Sequence, residues 1–309
     1  MKRYTLRQLE YFVAVGEYGS VAQAAANINV SSPSISAAIS QLEAEFGLPL
    51  FVRRHAQGLS LTPAGKRMLD QTKIVLAEAS ALMDLAGDIA GTVRGPLSIG
   101  CLVTFAQVVL PSVRRSFEEL YPDVRMRQSE LNQLEIFSAL RRAEINIALS
   151  YNLDVPADLE FIPLLELPPV AIFGSGHPLC DRDSVSVEDL LTYPMVLLDL
   201  PFSSDYFMSF FTKTGQKPII AERTRDMAVM RSMVASGFGY SIANVRPMNN
   251  LSPDGKELHF VPLKGDVQPI QMGLLMANGA KSANTVRAFV EHCNAQAQNG
   301  ILPALLGIS

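Results

Sequence analysis

Hydroxyl side chains crowd one short stretch near the start of this 309-residue chain: Ser31, Ser32, Ser34, Ser36 and Ser40, set around Pro33 and Ala37. On a helix lying in a DNA major groove, small hydroxyls reach base edges or phosphates. Ser20 and Gln23, opening the preceding segment, could add contacts of the same kind. Arg53 and Arg54, a little further on, suit phosphates or the minor groove. A serine-rich turn in a small helical bundle can equally be plain structure.

A second set of residues lies far downstream. Val103-Thr104-Phe105, Ser150-Tyr151-Asn152, Leu200-Pro201-Phe202-Ser203-Ser204, Arg225 and Tyr240-Ser241 each border the end or start of an expected strand or helix. Ligands of open α/β sheets bind beyond the carboxyl ends of strands, where helix N-termini offer free N–H groups. Thr104, Ser203 and Ser204 would supply hydroxyls for a carboxylate or similar anion, with Tyr151 and Phe202 as apolar walls. Arg225 would add charge unless it pairs with Asp226. Thr104, Ser203 and Ser204 are each also good helix caps, and only their convergence on strand ends favours a pocket.

Catalytic groups do not assemble. His55, His177, His259 and His292 are scattered, with no motif joining them to serine or cysteine. There is no phosphate loop, nucleophile elbow or HExxH. The three cysteines, Cys101, Cys180 and Cys293, are odd in number and widely spaced. That excludes a disulfide framework or a closed cysteine zinc site and points to a reducing compartment. Cys101, on an apolar strand, reads as packing rather than as a redox sensor. No catalytic residue, metal site or cofactor is expected. No run approaches the roughly 18 apolar residues of a membrane span, and Glu10 interrupts the N-terminal apolar stretch, so no export signal is read there. A cytoplasmic protein without a membrane partner is expected.

The elements that must position these residues follow from periodicity. Hydrophobic residues make up 48% of the chain and charged residues 18%, enough to bury sizeable cores. Residues 6–13 carry one apolar stripe, a short helix follows Gly19-Ser20, and Ser31 or Ser32 can cap a third helix with Pro33 in its first turn. In that helix Ile35, Ile39, Leu42 and Phe46 share one face. Residues 48–61 suggest a small β-ribbon. From Thr62 to about Asp88 runs one long helix whose Met68, Thr72, Val75, Ala79, Leu82, Ala86 and Ile89 step by fours and threes. That is a coiled-coil-like seam, and self-association is its expected use.

Beyond residues 91–96 strands and helices alternate, which argues for open α/β sheets covered on both faces. The expected strands are 97–102, 124–131, 145–150, 168–173, 195–198, 240–243 and 271–277. The expected helices are 105–120, 133–142, 202–212, 227–235 and 282–298. Charge divides along the same line. Residues 1–67 hold seven basic and four acidic side chains, net +3, whereas the remainder holds nineteen basic and twenty-six acidic, net −7. A basic head on an acidic body suggests that only the head approaches a polyanion.

The order of these features resembles the LysR-type transcriptional regulators. The resemblance rests on LEYFVAV at 9–15, GSVAQAA at 19–25, VSSPSISAAISQLE at 30–43, PLFVR at 49–53 and LTPAG at 61–65. Weaker echoes are LP at 110–111, HPL at 177–179 and VASGFG at 234–239. It implies an all-α winged helix–turn–helix (1–61) plus a long linker helix (62–91). A C-terminal α/β effector domain (92–309), two-lobed and like a periplasmic binding protein, would follow. Lobe 1 would span about 92–167 and 275–309, and lobe 2 about 168–274. The implied function is a sequence-specific regulator of transcription that binds double-stranded DNA under control of a small-molecule effector, as a homodimer or, through pairing of dimers, a homotetramer. Many family members carry a basic residue where this chain has Ala37 or Ala38, which shifts weight to Arg53, Arg54 and DNA shape. The competing reading is a two-lobed solute-binding or enzymatic protein with a helical assembly domain.

Overall fold

The computed structural model describes residues 4–54, 58–89, 92–212 and 215–307, with backbone alone at 53, 54, 58, 80, 81 and 83–89. Two compact units divide the chain: Met1–Ala90 with Arg142–Glu144, and Gly91–Arg141 with Ile145–Ser309.

The first unit opens with α1 (Leu6–Tyr18), α2 (Val21–Ile28) and α3 (Ser32–Phe46). Each begins at a hydroxyl that accepts a backbone N–H: Thr5 from Gln8, Ser20 from Gln23, Ser31 from Ser34. Each ends on a left-handed residue, Gly19, Asn29 or Gly47. Short helices with both ends satisfied in this way are set by local sequence. Leu9, Phe12, Val15, Ile35, Ile39, Leu42 and Leu50 form their common core. Strands β1 (Phe51–Arg54) and β2 (Gly58–Leu61) pair antiparallel. Glu43 Oε1 accepts the N–H groups of Leu50 (2.8 Å) and Phe51 (3.2 Å), which holds this ribbon to α3.

The long helix α4 (Pro63–Ile89) follows. Thr62 Oγ1 accepts from Gly65 N–H and donates to Pro49 O, each at 2.8 Å. Helix and ribbon approach so closely that a Cβ on Gly65 would stand 2.1 Å from Leu50 O. Gly65→Ala should therefore destabilise the first unit by about 2 kcal/mol through overpacking, although alanine is the better helix former. Hydrogen exchange of the α1–α3 amides measures this, and undiminished protection would contradict it.

The four-three seam of α4 is divided. Met68, Leu69 and Leu76 pack onto the core of the head, and Thr72 is buried. Gly16 of α1 makes room for this, because Leu69 lies 3.0 Å from where its Cβ would be. Met68, expected to face a partner helix, thus faces its own chain. Val75 is 38% and Leu82 68% exposed, and Ala79 is half-buried. The side chains of Ala86 and Ile89 lie outside the described residues.

In the second unit β3 (Gly95–Leu102), α5 (Val103–Ala106), α6 (Leu110–Leu120), β4 (Val124–Leu131), α7 (Gln133–Arg141), β5 (Ile147–Tyr151) and β6 (Leu159–Leu167) build most of a first lobe. The chain then crosses to β7 (Val170–Gly174), β8 (Val185–Ser186), α8 (Val187–Leu190), β9 (Pro194–Leu198) and α9 (Ser203–Thr212). The second lobe continues with β10 (Ile219–Thr224), α10 (Met227–Ala235), β11 (Ser241–Ala243) and β12 (Leu258–Lys264). β13 (Ile270–Ala277), α11 (Asn284–Gln298) and α12 (Ile301–Leu305) complete the first lobe. The first-lobe sheet runs β4-β3-β5-β13-β6, parallel at β4-β3-β5 and antiparallel around β13. The second lobe holds β11-β7-β12-β8 and the pair β10-β9.

Three expectations change. Residues 105–120 are not one helix: α5 stops at Ala106 and α6 starts at Leu110, because Pro111 would clash with the Gln107 carbonyl in a continuous helix. The return to the first lobe precedes Ile270 rather than falling at 274/275, since β13 pairs with β6 from Ile270 onward. Finally β6, β8, β10 and β12 are strands that periodicity did not reveal. β6 contains Pro163, which reads as a strand breaker, yet β6 is an edge strand and its register slips between Met272 and Gly273. Edges and bulges are where a strand tolerates proline.

Candidate functional site

In the head, Ser31, Pro33, Ser34, Ser36, Ala37 and Ser40 all lie on exposed positions of α3 or its cap, and Ser32 is half-buried. The cap is Ser31, not Ser32, and its Oγ lies 2.7 Å from that of Ser34. Ala38 is buried, so Ala37 is the position at which a basic side chain would have been exposed. Ser20 caps α2, and Gln23 is exposed beside it. The backbones of Arg53 and Arg54 pair with Leu59 and Gly58; their side chains lie outside the described residues. Gln8 Nε2 donates to Gln41 Oε1 at 2.6 Å and fixes α3 against α1. Lys66 and Arg67, exposed on the first turns of α4, were counted as charge in the sequence but not assigned to the interface.

In the second unit side chains of each lobe pack onto the core of the other. Val103 of α5 packs against the second-lobe cluster of Val196, Leu198 and Met227. Phe202 and Tyr206 pack the other way, onto the first-lobe core, with the Phe202 ring 5.8 Å from Phe137. Tyr206 Oη donates to Gln268 O (2.7 Å) and accepts from Asn244 Nδ2 (3.0 Å), which also donates to Leu167 O (2.9 Å). Burial pushes the Tyr206 phenol up to about 12, so it stays protonated in this role.

Beside that junction stand Thr104, on α5 after β3, and Ser150 and Tyr151, at the end of β5. Thr104 and Ser150 are 4% and 0% exposed, and neither hydroxyl has a hydrogen-bond partner among the described residues. The Thr104 hydroxyl bears on the Tyr151 phenol and draws its pKa down, but more weakly than burial raises it. Burial dominates and pushes Tyr151 well above the usual phenol range. Phe105 meets the Tyr151 ring edge-on at 4.7 Å. Asn152 is exposed and spends its N–H on Gln271 O (3.0 Å). In the loop after β9, Leu200 and Ser203 are buried, Pro201 and Ser204 half-buried, and Phe202 has φ 63. A bulky residue in the left-handed region is strained, a state that clusters at ligand sites.

Residues 6–66 match the bacterial regulatory helix-turn-helix protein family of lysR type, and residues 90–298 match the LysR substrate binding domain. The chain belongs to the LysR family of transcription regulators. HinK, a LysR family transcriptional regulator from Pseudomonas aeruginosa, is 34% identical with a TM-score of 0.64, over 95% of this chain and 99% of its own. The HTH-type regulator CysB of Haemophilus influenzae is 30% identical over 243 residues, 77% of this chain and 74% of its length. The DNA-binding transcriptional dual regulator OxyR of Escherichia coli is 28% identical over 239 residues, 77% and 78%. The chain is thus a DNA-binding regulator with an effector-binding domain, not an enzyme. No helix among the described residues is long and apolar enough to cross a membrane.

Within this LysR regulator not every residue assigned to the effector converges on the junction. Tyr240 is buried in the second-lobe core and bridges to Met195 at the start of β9, whereas the cleft loop follows the end of that strand. Ser241 spends its hydroxyl on Val196 O at 2.7 Å. Arg225 is exposed, and Asp226 occupies the first N–H groups of α10 (Ala228, 2.7 Å; Val229, 3.1 Å), which closes that helix end to a ligand anion. The Ser203 and Ser204 N–H groups donate to Pro201 O and Leu200 O, so they too are engaged. A cavity of about 320 Å³ beside Gly174, His177, Tyr193 and Gly239 is lined by none of the assigned effector residues.

Proposed function

We propose that this LysR-type regulator works in the cytoplasm and grips operator DNA through α3 and the β1–β2 ribbon. It assembles as a dimer through the exposed part of α4, with dimers pairing into a tetramer as the family resemblance implies. Its effector is a small molecule bearing a carboxylate, held where the lobes meet. The observation that carries the effector reading is the pair of buried, unpartnered hydroxyls on Thr104 and Ser150. Leaving such a group unpaired costs about 1–3 kcal/mol, and an acceptor shared by two O–H donors removes that cost. A thiol-based redox sensor has little support in this chain. All three cysteines are buried, and burial pushes Cys101 and Cys293 far from the thiolate that oxidation requires.

The DNA half is tested by mobility shift across salt concentrations. Replacing both Arg53 and Arg54 with alanine should weaken binding to all sequences and reduce the salt slope by roughly 2. Ser36→Ala should act mainly on the preferred site. A full salt slope in the double variant would remove the ribbon from the interface. Thermal-shift screening of carboxylates against their amides tests the effector half. Ligand binding with no sequence-preferring DNA complex would favour the solute-binding alternative.

A further inference from the structure

Two consecutive side chains and a third from far along the chain meet in the second lobe. Cys180, Asp181 and His259 bring one ligand atom each to within 4.8 Å of one another. Strand pairing makes the meeting: His259 on β12 lies opposite Phe173 on β7, and the loop leaving β7 carries Cys180 and Asp181. That loop is held by its own backbone, with His177 N–H to Gly174 O (3.2 Å), Cys180 N–H to His177 O (3.0 Å) and Arg182 N–H to Leu179 O (3.3 Å).

Ser175 Oγ lies within hydrogen-bond reach of both Glu257 Oε2 (3.3 Å) and His259 Nε2 (3.4 Å), so one edge of the imidazole is held from behind. On the other edge of the ring, His259 Nδ1 stands 3.9 Å from Asp181 Oδ1. A charged hydrogen bond would close to roughly 2.7–2.9 Å. Two ligands on one tetrahedral zinc, with bonds of about 2.0–2.3 Å, stand roughly 3.3–3.8 Å apart. Ser175 and Glu257 stand behind the ring as the kind of second layer that orients a ligating histidine.

We propose that Cys180, Asp181 and His259 form a site for a divalent cation of the zinc type, with water in the fourth position. The mix of thiolate, imidazole and carboxylate selects that class over magnesium or calcium. Binding releases the Cys180 thiol proton to the buffer, one per cation, and forms the Sγ–metal bond in its place. The cation ties the loop after β7 to β12.

The test is a titration of reduced, metal-free full-length protein with Co²⁺, followed by displacement with Zn²⁺. One equivalent should produce a thiolate-to-cobalt charge-transfer band in the near ultraviolet, which zinc abolishes. Cys180→Ser should remove the band. Asp181→Asn, on a side chain 91% exposed and so harmless to the fold, should weaken affinity tenfold or more. Glu257→Gln, acting through Ser175, should weaken it by about tenfold as well. Absence of a band at one equivalent, its survival in Cys180→Ser, or unchanged affinity in Asp181→Asn would each overturn the site.

Discussion

Leu82→Asp should convert the regulator to a monomer. Leu82 is 68% exposed in the single chain, as are Val75 and Ile74 to a lesser degree (38% and 36%). Solvated aspartate in place of an exposed leucine is nearly neutral for the fold. In a two-fold assembly the same residue is buried twice, and each unpaired charge costs roughly 3 kcal/mol. The dimer dissociation constant should rise on the order of 10⁴-fold, with loss of tight operator binding. Sedimentation velocity at low micromolar protein reads the outcome, and circular dichroism confirms an intact fold. Met68→Asp is the contrasting variant: Met68 packs on the head core, so it should unfold the first unit instead. An unchanged sedimentation coefficient for Leu82→Asp would place the dimer contact elsewhere.

Thr104→Val should move stability and ligand affinity in opposite directions. Valine keeps the shape and removes a buried hydroxyl that has no partner, so the ligand-free protein gains about 1 kcal/mol. The effector loses a contact of similar size, a five- to tenfold fall in affinity. Adding Ser150→Ala should bring the combined loss to roughly 2 kcal/mol, about thirtyfold. Thermal unfolding without ligand and calorimetry with the effector measure the two signs. Higher stability with undiminished affinity would move the ligand out of the cleft, with the second-lobe cavity next to examine.

What was legible in the chain was what is local. Helix caps at Ser20 and Ser31 and stops at Gly19 and Gly47 sit beside the helices they bound, so much of the head could be read from local sequence. The effector lobes depend on pairings between distant strands, and reading failed where a local signal opposed a distant one. β6 carries Pro163 and no clear alternation, and only its pairing with β13 makes it a strand. Tyr240 borders a strand, but at the end away from the cleft, and no pattern of residue types tells which end that is. Arg225-Asp226 looked like a cation beside an anion site, whereas the aspartate serves the helix that follows. His259 and Cys180 carry no shared spacing, and only the β7–β12 register brings them together.

The two edges of the first-lobe sheet bear on how copies of this unit can meet. A bare edge strand is a template for another chain, and aggregation by strand addition follows wherever it is flat and apolar. Here β6 is blunted by Pro163 and its bulge against β13. The opposite edge, β4, exposes Arg125, Arg127 and Glu130 along its length. Neither edge invites a sixth strand, so the sheet does not propagate from one molecule to the next. Contacts between these units then fall to helices and loops, whose side-chain surfaces can be reversible and specific at the high local concentrations a promoter creates.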